Sequence, residues 1–431
     1  MQTNPTPYTL MNVATGREFE DTGWLLDDPN GETPSLIRAV YEKKQITVKE
    51  NSFGLYKFSD WLPVSRFLQG SCAPVTYKSR ALANYLNVAR LYVCFSGYFP
   101  EIGAIMTTCS FKETEAFSVC GRITPEMKGV LTVASAGNTA RAFAKVCSEN
   151  KIPLLLCVPE DNLDALWFEK PIDKCVKLIC SKSGCDYFDT IHLSNMAVKS
   201  EKYYPEGGAK NIARRDGMAT TMLSATTFIG EIPDYYFQAV GSGTGAIAAW
   251  EANLRLIADG RFSNKKMKLL LSQNIPFTPM VNAWNENSRD LLPFDDQAAR
   301  KQIETIDAKV LSNRKPPYGI AGGLFDAMTD TSGEFMAISN EEALKAATLF
   351  EKLEKIDIHP AAAVATASLI KAVQKNSIDK SKIIMLNITG GGEKLFKTKH
   401  DLHYLMPIHK FDMNPKEEEV IEIVEKLDIK I

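Results

Sequence analysis

The sequence lacks a net charge of either sign. It contains 50 lysine and arginine residues against 52 aspartate and glutamate residues, which gives a formal net charge of -2 at pH 7. Proteins that bind nucleic acid or anionic membranes through charge usually carry an excess of basic residues or a long basic cluster. Local clusters such as Arg214 and Arg215 are too short for that purpose. We therefore expect small-molecule substrates as partners, and neither nucleic acid nor a membrane.

Long apolar runs are missing as well, and we expect no secretory targeting segment. No apolar stretch is long enough to span a bilayer, and residues 1–7 lack the basic and apolar regions of a secretory signal. The nine cysteines fall between Cys72 and Cys185 and form no C-x-x-C pair. This spacing is typical of reduced thiols in a protein core and argues against a disulfide framework and a zinc site. We expect a cytoplasmic globular protein without a bound metal.

Strand-like and helix-like segments alternate along most of the chain. From about residue 113 onward, apolar runs such as 153–158 and 383–388 are separated by segments with helical periodicity. This alternation predicts an α/β protein with a parallel sheet flanked by helices. A chain of 431 residues is long enough for two or three domains. The expected units are a small N-terminal unit (1–50), a large α/β domain (51–112 and 225–431) and a smaller α/β domain (113–224).

One stretch, residues 130–143, joins an apolar strand to an amphipathic helix through a turn of small and polar residues. The turn contains Ser135, Asn138 and Thr139, and its small residues let a ligand approach the backbone. Unpaired N–H groups at the start of the following helix suit an anionic ligand. The stretch therefore predicts an anion site in the smaller domain.

A Gly-rich turn follows the strand-like run 235–240. The turn consists of Gly241, Ser242, Gly243, Thr244 and Gly245. Its spacing also fits a variant of the dinucleotide-binding fingerprint, which would point to an oxidoreductase. That fingerprint needs an acid for the ribose at the end of the next strand, where the sequence has Ser-Gln-Asn (272–274). We therefore prefer a cup of backbone N–H groups that binds a single phosphate.

Lys112 is notable for its surroundings. It follows an apolar and hydroxyl-rich segment and precedes a helix-like segment, 113–119. Most lysines are solvated surface residues, but a desolvated lysine loses its proton more easily and attacks an aldehyde as a free amine. Lys112 is therefore a candidate for a covalent bond to an aldehyde.

Four motifs occur together in this chain: Ser-Phe-Lys-Glu (110–113), Ala-Ser-Ala-Gly-Asn-Thr (134–139), Gly-Ser-Gly-Thr-Gly (241–245) and Thr-Gly (389–390). Their order and spacing resemble the threonine synthase family, which comprises pyridoxal-phosphate enzymes of the tryptophan-synthase-β fold type. The resemblance extends from about residue 8 to 400, and several segments are most similar to the cysteate synthase branch. It implies fold type II, with two parallel or mixed sheets flanked by helices and the cofactor between domains.

The resemblance also implies a role for each matching residue. Lys112 matches the lysine that bonds covalently to pyridoxal phosphate, Asn138 the amide that binds its ring hydroxyl oxygen, and Thr389 the hydroxyl that faces its pyridine nitrogen. The family's phosphate cup corresponds here to Gly241, Ser242, Gly243, Thr244 and Gly245. The family's residues that bind the substrate carboxylate correspond to Ser135 and Thr139. Relatives often carry an N-terminal zinc ribbon, but no cysteine precedes Cys72 here, so we expect no zinc.

Several anionic groups in one cleft call for fixed cations in addition to backbone N–H groups. Arg214 and Arg215 lie in a Gly-rich stretch that is typical of a loop, and the resemblance places this stretch near the substrate phosphate. Two neighbouring arginines cannot easily share one target, so we expect one to bind the phosphate and the other to pair with a carboxylate. Arg141 and Lys78 are weaker candidates, because each fits an ordinary charge on a helix surface.

The function implied by the resemblance is cysteate synthesis, in which sulfite replaces the phosphate of O-phosphoserine. A neutral Thr389 would leave the pyridine nitrogen largely unprotonated, which suits such an elimination. Threonine synthase is the second candidate, because it would use the same lysine and phosphate cup. An oxidoreductase and a scaffold without catalysis are the alternatives of other classes; the missing ribose acid argues against the first, and the presence of Lys112, Asn138 and Thr389 together argues against the second. We expect a homo-oligomer, and the use of the product, in coenzyme M or in sulfonolipids, stays open.

Overall fold

The structure is a computed structural model in which residues 6–429 are described. The strands, in chain order, are β1 (Tyr8–Asn12), β2 (Glu18–Phe19), β3 (Ile37–Tyr41), β4 (Val75–Lys78), β5 (Arg90–Phe95), β6 (Tyr98–Phe99), β7 (Ala104–Ile105), β8 (Val130–Ala134), β9 (Leu154–Pro159), β10 (Trp167–Phe168), β11 (Val176–Ser181), β12 (Tyr203–Pro205), β13 (Tyr235–Ala239), β14 (Lys268–Asn274), β15 (Glu334–Ile338), β16 (Ile383–Ile388), β17 (His403–Tyr404) and β18 (His409–Phe411). The helices are α1 (Ala81–Leu86), α2 (Lys112–Arg122), α3 (Asn138–Asn150), α4 (Tyr187–Ala197), α5 (Ile212–Ile229), α6 (Thr244–Asp259), α7 (Pro279–Asn285), α8 (Asp296–Thr305), α9 (Leu324–Asp330), α10 (Asn340–Glu354), α11 (Pro360–Gln374), α12 (Glu393–Lys399) and α13 (Glu417–Glu425).

The larger of the two main sheets has six strands in the order β15-β14-β13-β16-β5-β4. All neighbouring strands are parallel except β4 and β5, which are antiparallel. The central strand β16 is apolar along nearly its whole length, and every one of its residues is buried. Such a strand needs helices on both faces of its sheet. One face packs against α10 and α11, and the other packs against α5 and α6.

The second main sheet has five strands in the order β12-β8-β9-β11-β18, all parallel. Helices α2 and α3 cover one face, and α4 and α13 cover the other. The expected α/β class with parallel or mixed sheets is therefore confirmed. The C-terminal segment differs from the expected division, because β18 pairs with β11 in this smaller sheet and not in the larger one.

A small antiparallel sheet, in the order β2-β1-β3, precedes the two main sheets in the chain. It falls within the expected N-terminal unit 1–50, of which residues 1–5 lie outside the described part of the chain. The remaining domain limits stay a prediction.

The stretch that carries Arg214 and Arg215 is a helix, so the expectation of a loop was wrong. Helix α5 begins after Asn211, whose side-chain oxygen accepts a hydrogen bond from the Ala213 N–H at 3.0 Å. Asparagine at this position satisfies one of the free N–H groups of a helix start, and the glycines just before it obscured that signal. The helix ends at Gly230, which has φ of 82°. Within residues 6–429, no helix combines the length and the apolar character needed to cross a bilayer.

Two helix starts beside the larger sheet have well-defined first residues. Ser339 and Glu342 form a reciprocal capping box at the start of α10, with distances of 3.2 and 2.8 Å. Pro360 is the first residue of α11, where its missing N–H costs nothing. These helices cover the larger sheet on the side next to the loop that follows β16.

Helices α2 and α5 approach each other closely at Gly217. A Cβ atom at this position would lie 2.4 Å from the Thr114 carbonyl oxygen and 2.7 Å from the Ser118 Cβ. Both of those atoms belong to α2, whose first residue is Lys112. The small residue on α5 therefore fixes the distance between the helix that carries Lys112 and the helix that carries Arg214.

Replacing Gly217 with alanine should destabilise the protein by about 1–3 kcal/mol, because the two helices must separate. Glycine to alanine in an ordinary helix stabilises by about 1 kcal/mol, so the sign of the change is informative. Urea unfolding of Gly217→Ala beside the wild type measures it. A more stable variant would contradict the close helix contact.

Candidate active site

Three loops meet where parallel strands end. They follow β8, β13 and β16, and such carboxyl ends are the usual ligand positions in α/β sheets. Together they line a cavity with about 540 Å³ of free space, part of which is open to solvent. The polar and glycine residues that line it include Ser110, Lys112, Asn138, Gln238, Gly241, Ser242, Gly243, Thr244, Gly245, His359 and Thr389. The structure thus brings Lys112, Asn138, the Gly-rich turn and Thr389 to one place.

Lys112 is fixed by hydrogen bonds of the segment before it. The Phe111 N–H donates to the Thr389 carbonyl at 3.0 Å, and the Gly391 N–H donates to the Cys109 carbonyl at 3.1 Å. The Lys112 Nζ lies 3.1 Å from Glu115 Oε2 on the next turn of α2. Burial lowers the pKa of the Lys112 amine, and Glu115 opposes that shift. The amine is thereby brought closer to the neutral form that a nucleophile or base needs.

Asn138, the first residue of α3, has a defined amide orientation. Its Oδ1 accepts a hydrogen bond from Arg141 Nη2 at 3.1 Å, so its Nδ2 faces the cavity and lies 3.5 Å from His359 Nε2. Arg141 itself is buried, donates to the Thr108 carbonyl at 2.9 and 3.2 Å, and stacks on Trp167. It is therefore not the surface charge expected from the sequence, and it orients Asn138 without lining this cavity.

His359 was not singled out from the sequence. It caps α11, with Nδ1 accepting from the Ala361 N–H at 3.4 Å, which leaves the hydrogen of the neutral ring on Nε2. The Nε2–H and the Asn138 Nδ2 are then two neighbouring donors in the same cavity. Burial lowers the pKa of His359 to about 4, so the ring is neutral at neutral pH. The only signal for His359 in the sequence was its position just before Pro360, which marks a helix start and so indicates a capping residue.

The Gly-rich turn forms the start of α6. Gly243 is the residue before the helix, has φ of 78°, and provides no side-chain cap. A Cβ there would lie 2.7 Å from Leu324, so glycine suits both the conformation and the space. Within the first helical turn, the Ala246 and Ile247 N–H groups donate to the Gly243 carbonyl at 3.0 Å, and the Thr244 N–H donates to the Ser242 hydroxyl at 3.3 Å. The positive end of the helix dipole at this turn attracts an anion.

A second cavity, with about 440 Å³ of free space that is partly open to solvent, adjoins the first and shares Lys112, Asn138, Ser242 and Val310 with it. The polar side chains that line it are Lys112, Ser135, Asn138, Thr139, Tyr187, Arg214, Ser242 and Asn313. The Ser135 hydroxyl accepts from the N–H groups of Gly137 and Ala140 at 3.0 and 2.9 Å. Its own hydrogen stays available to an acceptor in the cavity. Tyr187 and Asn313 are further lining residues that sequence reasoning missed, and no spacing signal pointed to either.

The two candidate arginines have different surroundings. Arg214 lines the second cavity and contacts Glu206 at 2.6 Å and Glu115 at 3.1 Å. Arg215 is buried on another side of α5, where it pairs with Glu251 at 2.9 Å and donates to backbone carbonyls. Arg215 therefore does not reach either cavity. Lys78 lies at the exposed end of β4 and lines neither cavity.

Residues 104–390 match the family model of pyridoxal-phosphate dependent enzymes. The chain belongs to this family. Among its relatives is the cysteate synthase of Methanosarcina barkeri (strain Fusaro / DSM 804), 48% identical over 402 residues that cover 93% of this chain and 96% of that protein. The cysteate synthase of Methanocella arvoryzae (strain DSM 22066 / NBRC 105507 / MRE50) is 46% identical over 403 residues, covering 93% and 95%. The resemblance to cysteate synthases noted from the motifs is thus confirmed.

Solved structures of other enzymes share the fold. Maize serine racemase has a TM-score of 0.55 at 15% identity, over 76% of this chain and 91% of that one. The processed form of threonine deaminase isoform 2 from Solanum lycopersicum has a TM-score of 0.52 at 17% identity, over 76% and 86%. At such low identity these likenesses concern the fold alone, and they confirm fold type II.

The residues of the first cavity fit the cofactor of this family. A phosphate suits the Gly-rich start of α6, and an aldehyde suits the desolvated amine of Lys112. The Asn138 and His359 donors lie 3.5 Å apart without an acceptor to share, and a ring oxygen would supply one. Thr389 lines the same cavity and offers a hydroxyl. No group in the cavity conflicts with pyridoxal phosphate among the residues described.

His359 should make the protein less stable as the pH falls. Its folded pKa of about 4 lies below the ordinary value of 6.5, so its contribution is full above pH 6.5 and is lost as the pH falls toward 4. In His359→Asn, which keeps a helix-capping side chain, the difference in unfolding free energy between pH 7 and pH 5 should shrink. Urea unfolding at both pH values measures it, with exposed His192→Asn as the control. An unchanged difference would contradict this assignment.

Proposed function

We propose that the protein is a cysteate synthase that converts O-phospho-L-serine and sulfite into L-cysteate and phosphate, with pyridoxal phosphate as cofactor. The sequence relatives support this activity, since both cysteate synthases named above match nearly the full chain. The observation that carries the proposal in the structure is the position of Lys112. This residue lines both the cavity suited to the cofactor and the adjoining cavity with Arg214.

Each side chain has a defined part in the proposed reaction. Pyridoxal phosphate, when bound, withdraws electrons from the α-carbon of an amino acid attached to it. Lys112 Nζ takes the proton from that carbon and returns it after the replacement, and its lowered pKa suits a base. Asn138 and Thr389 orient the ring, and the turn from Gly241 to Gly245 binds its phosphate.

The second cavity is proposed to hold the substrate. The start of α3, with Ser135 and Thr139, offers N–H and hydroxyl donors to the α-carboxylate. Arg214 lines the same cavity, and its Nε has no hydrogen-bond partner among the residues described. We assign it to the substrate phosphate. The bond between the β-carbon and the phosphate oxygen breaks and its electron pair leaves with the phosphate. The sulfur lone pair of hydrogen sulfite forms a C–S bond to the β-carbon, and the proton of hydrogen sulfite ends on the released phosphate.

The alternatives receive less support. Gln273 Oε1 accepts from the N–H groups of Met280 and Val281 at 2.9 and 3.1 Å, so the end of β14 is occupied internally and offers no acid for a ribose. Threonine synthase would use the same residues, but no relative reported above is named so. The homo-oligomer and the cytoplasmic location stay predictions.

The deciding experiment compares substrates with the purified holoenzyme. Phosphate release from O-phosphoserine should depend on sulfite, and mass spectrometry should detect cysteate in equal amount. O-phosphohomoserine should release little phosphate under the same conditions. Faster release from O-phosphohomoserine, with threonine as product, would overturn the proposal in favour of the second candidate.

Lys112→Ala should abolish both turnover and the visible absorbance of the bound cofactor, because no other amine of the described chain lines the first cavity. Absorbance and phosphate release measure the two losses, and circular dichroism checks the fold. Lys78→Ala, at the exposed end of β4, is the matched control and should keep both. Normal turnover in Lys112→Ala would refute the role of this residue.

Arg214→Lys should raise the KM for O-phosphoserine by about tenfold or more, because one ammonium cannot replace the planar guanidinium toward phosphate. The visible absorbance of the cofactor should remain. Arg215→Lys on the same helix is the control, since its guanidinium faces Glu251 and not the cavity. Steady-state kinetics at saturating sulfite measure the effect. Equal KM values for Arg214→Lys and the wild type would place the phosphate elsewhere.

A further inference from the structure

Four charged side chains, those of buried Glu115, Arg214 and Glu206 and of half-buried Lys112, form a chain of contacts beside the second cavity. Lys112 Nζ contacts Glu115 Oε2 at 3.1 Å, Glu115 Oε1 lies 3.1 Å from Arg214 Nη2, and Arg214 Nη1 contacts Glu206 Oε2 at 2.6 Å. Two cations and two carboxylates alternate, so the formal charges of the set cancel. Burial of ionised groups at this depth requires such pairing.

Glu115 occupies the central position in this set. It lies one helical turn after Lys112 on α2, a spacing that brings two side chains onto one face. Its side chain is fully buried and contacts both cations, whereas Glu206 contacts Arg214 but not Lys112. The close approach of α2 and α5 at Gly217 fixes the distance that Glu115 spans.

Other charged or titratable groups face the set from neighbouring elements. Tyr187, the first residue of α4, lies near Arg214, Glu206 and Glu115, and burial raises the pKa of its hydroxyl. Burial also raises the pKa of Glu206, against the pull of Arg214. A neutral tyrosine cannot balance Lys112. Glu115 is therefore the negative group in direct contact with the lysine nitrogen.

We propose that Glu115 is a positioning residue that couples the lysine of the first cavity to the arginine of the second. It holds Lys112 Nζ and Arg214 Nη2 on its two oxygens, and it favours the protonated form of the lysine nitrogen. Removing its charge leaves Lys112, Arg214 and Glu206, with an excess of one positive charge, and so disfavours that proton. This inference rests on the proposed role of Lys112 and adds a residue that neither the motifs nor the relatives assign.

The test is a pH titration of the visible absorbance of the holoenzyme. In Glu115→Gln, which keeps the shape of the side chain, the midpoint should fall by about one pH unit or more, since an opposite charge within 4–6 Å has been removed. Glu115→Asp keeps the charge but withdraws it from Nζ, so its midpoint should fall less. The KM for O-phosphoserine should rise in Glu115→Gln, because Arg214 loses one of its two anchors.

Glu113→Gln provides the matched control. Glu113 lies on the same turn of α2 and is equally buried, but it contacts Thr108 at 2.7 Å and Lys145 at 3.6 Å and not Lys112. Its midpoint should equal that of the wild type, and an equal fall in Glu113→Gln would overturn the inference. Wild-type midpoints in both Glu115 variants would also overturn it, and Glu115→Asp decides this if Glu115→Gln does not fold. Sulfite-dependent turnover of the wild type is measured in parallel. If the proposed function is wrong, the wild type shows no turnover and no visible band. If only the inference about Glu115 is wrong, the wild type turns over normally and the Glu115 variants keep its midpoint.

Discussion

A short set of backbone hydrogen bonds joins the segment before Lys112 to the loop after β16, and the site depends on it. Ser110 and Gly390 form an isolated antiparallel bridge, and the Phe111 N–H donates to the Thr389 carbonyl at 3.0 Å. Strand β16 is central in the larger sheet, while α2 covers the smaller sheet. The main-chain positions of Lys112 and Thr389 are therefore held relative to each other by backbone hydrogen bonds. Cofactor chemistry requires this kind of preorganised site, because the protein must orient the cofactor.

Charge balance in the core is the second constraint. Helix α5 is buried through most of its length, although it carries two arginines and an aspartate. Each charge has an opposite partner: Arg214 has Glu115 and Glu206, Arg215 has Glu251, and Asp216 has Arg255. An unpaired charge at this depth would cost several kcal/mol. The two neighbouring arginines differ in position: Arg214 itself lines the second cavity, whereas Arg215 lines neither site cavity and is paired with Glu251.

The sequence predicted the parts of the site that depend on local order and not those that depend on distant contacts. Strand, turn and helix follow one another within a few residues around Asn138 and Gly243, so the pattern of small residues was enough to identify both loops. The position of Lys112 followed from a motif, and the i,i+3 spacing to Glu115 was visible but had no recognised meaning. Arg141 was interpreted as a surface charge because nothing local reveals that Thr108 and Trp167 surround it. The pairing of β18 with β11 joins residues more than two hundred positions apart, and no local pattern encodes it.

On the proposed function, the same pairing has a consequence for anion exchange. The cations that line the second cavity, Lys112 and Arg214, are each already bound to a carboxylate. An arriving phosphate must compete with Glu115 and Glu206 for the guanidinium, so the net attraction is smaller than that of a free arginine. A replacement reaction benefits from this weaker binding, because the leaving phosphate has to vacate the place that sulfite then enters. Binding that is equally strong before and after the chemical step does not increase the rate. The helix starts of α3 and α6 supply neutral N–H donors to the groups that stay in place, the carboxylate and the cofactor phosphate. The fixed anions are thus assigned to helix starts and the exchanging anion to a compensated arginine.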